Sequence, residues 1–135
     1  MLENFLRLLA ASFAALALLG SLQVHADEPA DNAAAVKRGK LLFLQCRACH
    51  EVAAGQPHKV GPNLHGIMNR QAAAAGDFTY SRGLVDSGLT WDVATLDRWL
   101  ERPGAVVAGT TMAYAGMPSA ADRSAIIAYL AQATR

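Results

Sequence analysis

Residues 46–50 read Cys46-Arg47-Ala48-Cys49-His50, and no other stretch of the chain narrows its possible folds so tightly. Two thiols three positions apart can add to the two vinyl groups of a haem, and a histidine directly after the second thiol sets an imidazole beneath the iron. The same spacing also suits a short redox disulfide or half of a zinc site. A disulfide of thioredoxin type belongs at a strand-to-helix junction in an α/β chain, and no strand alternation follows this motif. A zinc site of this kind needs a second pair of cysteines, and the chain has two in all. The motif therefore predicts one covalently attached haem c with its iron, joined through Cys46 and Cys49 and ligated by His50. A prosthetic group of that size becomes the centre of the core, so the remaining residues have to be read as its wrapping.

The first two dozen residues differ from the rest. Residues 2–22 are apolar, interrupted early by Arg7, and Val24-His25-Ala26 supplies the small, spaced residues that a signal peptidase accepts. The uninterrupted run over residues 8–19 includes Ser12 and falls short of the roughly 20 apolar residues that a membrane span requires. Residues 1–26 are thus expected to be a cleaved signal peptide and residues 27–135 a single domain, with an uncleaved anchor as the alternative. Export to the periplasm agrees with the motif, because haem is attached to such chains outside the bacterial cytoplasm. The 109 residues left after cleavage hold 11 Lys or Arg and 10 Asp or Glu, a near-neutral balance that gives no support to nucleic-acid binding.

Helical signals dominate the rest of the chain. Residues 33–45 predict a helix capped by Asp31 or Asn32, with Val36, Leu42 and Phe43 among its apolar positions. Gly39 inside it costs about 1 kcal/mol relative to alanine, which is either tolerated or repaid by close approach of a second helix. Residues 51–90 are rich in Gly, Pro, Asn, Ser and Ala, with residues 68–75 as a short helical candidate. So long a loop is unusual in a compact domain unless it packs on a ligand. Asp92 caps a predicted helix over residues 93–101, which presents Val93, Leu96, Trp99 and Leu100 and stops before Pro103. Ser119-Ala120-Ala121-Asp122 resembles a capping box that opens a last helix with Ile126, Ile127 and Leu130 on one face. The expected architecture is all-α, with about four or five helices and long loops.

With His50 on one side of the iron, the sixth position could fall to Met68, Met112, Met117, His58 or His65. Each of these could equally be a packed methionine or a solvated histidine. Met112 follows the flexible Ala108-Gly109-Thr110-Thr111, but Met117 is only five residues later, and spacing leaves both open.

From Gly39 to Tyr129 the chain resembles a class I cytochrome c of the mitochondrial and short bacterial type. The matching runs are GKLLFLQCRACHEV, VGPNLHGIMNR, FTY, LTW, TLDRWLERP, GTTMAYAGMP and DRSAIIAYL. The resemblance implies that fold, wrapped around one covalently bound haem, with Met112 as the second axial ligand and Met117 as a structural neighbour. It implies that the Pro62 carbonyl accepts the second ring proton of His50, which orients the ring and raises its basicity. Tyr80, Trp91 and Thr110 match positions that meet a haem propionate, and Arg70 matches an arginine that offsets propionate charge. Gly39, Phe43 and Tyr129 match the family's packing of its first helix on its last. His65 falls in the loop on the His50 side.

Several positions depart from the pattern. Trp99 replaces a tyrosine beside the axial methionine, Leu84 an asparagine, Asn69 a glycine and Thr111 a lysine. Lys37, Lys40 and Lys59 are the only lysines, so a strongly cationic docking face is not expected. The partners implied are a redox donor and acceptor that bind transiently at a small, mainly apolar patch. The resulting reading is a monomeric periplasmic electron carrier cycling between Fe(II) and Fe(III), and not an enzyme. Its alternatives are an electron-transfer subunit held by one dehydrogenase or reductase, or a haem peroxidase or gas sensor with an open iron.

Overall fold

A computed structural model describes residues 28–135, and the expected signal peptide lies outside them. Six helices occur among the described residues: α1 (Glu28–Leu42), α2 (Leu44–Arg47), α3 (Arg82–Asp86), α4 (Val93–Glu101), α5 (Pro103–Val106) and α6 (Ala120–Ala133). The all-α expectation holds. The additional members are single turns, α3 and α5, too short to leave a periodic apolar pattern in sequence.

The first helix differs from its predicted span of residues 33–45. It is already formed at Glu28 and ends at Leu42. At Phe43 the ladder tightens, because the Phe43 carbonyl accepts from both Cys46 N (2.9 Å) and Arg47 N (3.0 Å) before α2 continues. Such shared bonding is common at helix ends. The expected close approach at Gly39 is present. A methyl group there would overlap the Ala125 carbonyl and lie 2.8 Å from Tyr129 Cβ, so α1 and α6 touch backbone to backbone. Phe43 stacks obliquely on Tyr129 at 5.2 Å beside this crossing, and Arg38 pairs with Asp122.

Asp92 accepts from Thr95 N at 2.7 Å and starts α4 as predicted. Leu96, Trp99 and Leu100 are buried with Thr95, whereas Val93, expected on the same face, is 60% exposed. Its place in the first turn carries it past the edge of the core. Pro103 ends α4 and at once opens α5, since proline's fixed φ suits a first helical position. Ser119 caps α6 by accepting from Asp122 N. The capping box is only half formed, because the Asp122 carboxylate turns to Arg38. Ile126, Ile127 and Leu130 are buried, as the spacing indicates.

The helix expected at residues 68–75 is absent. Asn69 (φ 59°) and Ala73 (φ 57°) adopt left-handed backbone conformations that no right-handed helix accommodates. Their neighbours bond outward instead: Asn69 N to Trp91 O (3.0 Å), Trp91 N to Arg70 O (2.9 Å) and Ala72 N to Leu89 O (2.8 Å). Tertiary pairing has outweighed local propensity here. A buried Asn63 organises the preceding loop, donating to Ala53 O (2.8 Å) and Gln56 O (2.9 Å) and accepting from His65 N. Among the described residues, no helix is long and apolar enough to cross a membrane.

Candidate functional site

A large cleft opens between Phe43, α2, the 60–81 loops, Leu84 of α3, α4, α6 and the segment 110–114. Cys46, Cys49 and His50 all border it, since Cys49 N and His50 N both bond to the Cys46 carbonyl and continue one helical turn. Positions i, i+3 and i+4 of such a turn share a face. Burial keeps the Cys46 thiol above its ordinary pKa, with the neighbouring Cys49 adding to the effect.

His50 is held in a defined state. Its Nδ1 lies 2.8 Å from the Pro62 carbonyl, which can only accept, so Nδ1 bears the proton. Burial pushes the ring pKa down, the Pro62 bond opposes this, and Lys59 adds to the depression. The neutral ring is thereby left with its lone pair on Nε2, the form in which imidazole binds metals. Gly61 packs flat against this ring. A Cβ at Gly61 would sit 2.8 Å from Nδ1 and 2.9 Å from Nε2.

Of the five candidates for a second axial ligand, Met112 alone borders the cleft. Met117 is buried in the core, its N–H donating to Leu100 O at 2.8 Å. Met68 packs against the core away from the opening. His58 accepts from Asn63 N at Nδ1 and donates to Asp77 from Nε2, both at 2.8 Å. His65 contributes its carbonyl to Arg70 Nη1 at 2.7 Å. Thr110 borders the cleft and its hydroxyl accepts from Met112 N at 3.3 Å.

The cleft lining is mainly apolar, with a few polar side chains among it. Arg70, Tyr80 and Ser81 are among the polar residues, and burial raises the Tyr80 pKa. Trp91 and Trp99 form an edge-to-face pair at 5.1 Å within the apolar wall, joined by Leu84, Leu96 and Leu100. Ser81 was not singled out from sequence. Its Oγ is buried without a hydrogen-bond partner, a condition that costs about 1–3 kcal/mol unless a polar group enters the cleft. The only sequence signal for it is its place directly after Tyr80. Gly61 and Lys59 were also passed over; the Lys59 ammonium reaches Arg47 O (3.0 Å), His50 O (3.4 Å) and the Glu51 carboxylate (3.2 Å).

Two thiols, an imidazole lone pair, a thioether and an orphaned hydroxyl line one cleft of mainly apolar residues. It fits an iron macrocycle with acidic side chains. The sequence profile of the family described as Cytochrome c matches residues 36–134. The chain belongs to the cytochrome c family. It is 46% identical to a cytochrome c2 from Rhodoblastus acidophilus over 94 residues, covering 70% of this chain and 88% of that one. A cytochrome c from Kluyveromyces lactis is 39% identical over 100 residues, 73% of this chain and 91% of its own. A cytochrome c-550 from Bradyrhizobium diazoefficiens is 37% identical over 94 residues, 70% of this chain and 69% of its own. Cytochromes c hold one covalently attached haem c with iron, and haem-based electron transfer, not enzymatic turnover, is the class of function.

Proposed function

We propose that the mature protein is a monomeric, freely diffusing periplasmic electron carrier, with haem c attached at Cys46 and Cys49 and iron held axially by His50 and Met112. The observation behind this reading is that His50, in its ligand-ready tautomer, and Met112, alone of the five candidates, border one cleft with both thiols. A haem held by these residues would supply the exchange of a single electron between Fe(II) and Fe(III).

The chain's own residues set the terms of that exchange. Pro62 fixes the His50 ring and makes its free nitrogen more basic. The Met112 thioether favours the ferrous state, and the wall of Leu84, Trp91 and Trp99 acts in the same direction by disfavouring added charge. Were His50 and Met112 both to hold the iron, these two side chains would leave no open site for oxygen or peroxide. Arg70, Tyr80, Ser81, Trp91 and Thr110 would receive the propionates.

Of the residues that line the cleft, the exposed ones are Gln45, Cys49, Val60, Gln71, Ala74, Thr111 and Ala113, none with a charged side chain. This supports transient docking of donor and acceptor without long-range steering, so electron transfer should vary less than about twofold between low and physiological salt. Export with cleavage after Ala26 completes the reading. N-terminal sequencing of the periplasmic protein should begin at Asp27, and gel filtration of native extracts should show a monomer and not a dehydrogenase complex.

Visible spectroscopy tests the core of the proposal. The ferric protein should show the weak far-red band of methionine-ligated iron, and the ferrous protein should ignore carbon monoxide. Met112→Ala should abolish the band and admit carbon monoxide, and Met117→Ala should keep the band. A high-spin wild-type spectrum would overturn the assignment in favour of a peroxidase or sensor.

A further inference from the structure

The segment from Thr110 to Pro118 carries Met112 across the cleft, and its two ends are held unequally. At the first end, Thr110 N donates to Val107 O at 3.3 Å and its hydroxyl accepts from Met112 N at 3.3 Å, both long bonds. At the other end, Gly116 (φ 112°) lies so close to the Glu101 carbonyl that a side chain would overlap it, and Met117 N bonds to Leu100 O. The carbonyls of Met117 and Pro118 both accept from Arg123 Nη1, at 2.9 and 2.8 Å.

Arg123 is an unusual residue to find inside α6. Its side chain is only 7% exposed, and Asp97 of α4 grips it in a fork, Nε to Oδ1 at 2.7 Å and Nη2 to Oδ2 at 3.3 Å. One guanidinium therefore joins α4, α6 and the far end of the Met112 segment. Planar, charge-assisted bonding of this kind is rigid as well as strong.

We infer that Arg123, anchored by Asp97, is a positioning residue for Met112: it holds the far end of the segment and so keeps the thioether in the cleft and external ligands out. The inference rests on Met112 ligating iron. Between its two anchors the segment has one internal backbone bond, Tyr114 N to Met112 O at 2.9 Å, so releasing the Arg123 end lets Met112 swing away while the helices stay packed. An external ligand binds only to the open form, and its apparent affinity scales with the population of that form.

The experiment is titration of the ferric holoprotein with imidazole, followed at the far-red band, for wild type, Arg123→Met, Arg123→Lys and Asp97→Asn. Hydrogen bonds to a charged group are worth enough that Arg123→Met should bind imidazole on the order of tenfold tighter or more. Asp97→Asn should show a smaller gain, and Arg123→Lys should fall between wild type and Arg123→Met. Chemical unfolding followed by far-ultraviolet circular dichroism, run in parallel, separates loss of helix packing from loss of positioning. If Arg123→Met does not fold, Asp97→Asn decides the matter. Lower unfolding midpoints with imidazole affinity within twofold of wild type would show a purely structural role and overturn the inference. Absence of the far-red band in wild type would instead overturn Met112 ligation, and this inference with it.

Discussion

The stretch around His50 and the segment around Met112 border the same cleft, but they are secured in different ways. The His50 stretch is tied almost wholly to itself: Gly61 N to Cys49 O (2.8 Å), Leu64 N to Glu51 O (2.7 Å), His50 to Pro62, and Lys59 across Arg47, His50 and Glu51. Loss of one tie leaves the others. The Met112 segment has few ties of its own and relies on groups of α4 and α6, namely Leu100, Glu101 and Arg123. A redundant wall and a dependent one should respond to substitution very differently, with Met112, the proposed second ligand, as the place where the protein gives way first.

Gly61→Val is the strongest attempt to break the redundant side, because no hydrogen bond can compensate for a side chain in the volume of the imidazole. Unfolding free energy should fall by about 3 kcal/mol in denaturant titration, from overpacking and the displaced Pro62 bond, and haem content per polypeptide should drop. Gly116→Ala probes the dependent side. Strain at φ 112° with crowding of the Glu101 carbonyl should cost about 2 kcal/mol, and the far-red band should weaken on warming before helicity is lost. A variant whose band and helicity melt together would erase the distinction between the two walls.

Smaller changes sharpen the comparison. Lys59→Ala should lower stability by no more than about 0.5 kcal/mol, because its ion pair is partly solvated and Pro62 still orients His50; an effect as large as that of Gly116→Ala would contradict redundancy. The Glu51 carboxyl is held below its ordinary pKa, first by the Val52 N–H and then by Lys59. A depressed carboxylate stabilises the fold above its unfolded pKa and loses that contribution as pH falls through the folded value. Glu51→Gln should therefore be the less stable protein at neutral pH, and its unfolding midpoint should converge on that of wild type as pH drops below about 4.5.

Legibility in sequence followed the same division. The thiols and His50 are recognisable because their chemistry needs a fixed short spacing, and α4 and α6 because Asp92 and Ser119 cap them ahead of periodic apolar residues. Residue spacing left Met112 and Met117 undecided until family resemblance pointed to Met112. The structure separates the two by burying Met117 under Leu100 and Arg123. Residues 68–75 misled because four consecutive alanines favour helix, yet Asn69 and Ala73 turn left-handed and residues 69–72 pair with residues 89–91. Ser81 offered only its place after Tyr80, and Arg123 nothing at all, since a lone serine or arginine acquires meaning only from what surrounds it.

Local chemistry thus dictated the attachment motif and the capped helices, each of which depends on residues a few positions apart. Folding in three dimensions decided which methionine faces the cleft, where the orphaned Ser81 hydroxyl sits, and how Arg123 gathers α4, α6 and the Met112 segment. Those outcomes rest on contacts between residues far apart in the chain, whose energies appear only once the helices have packed and water has been excluded.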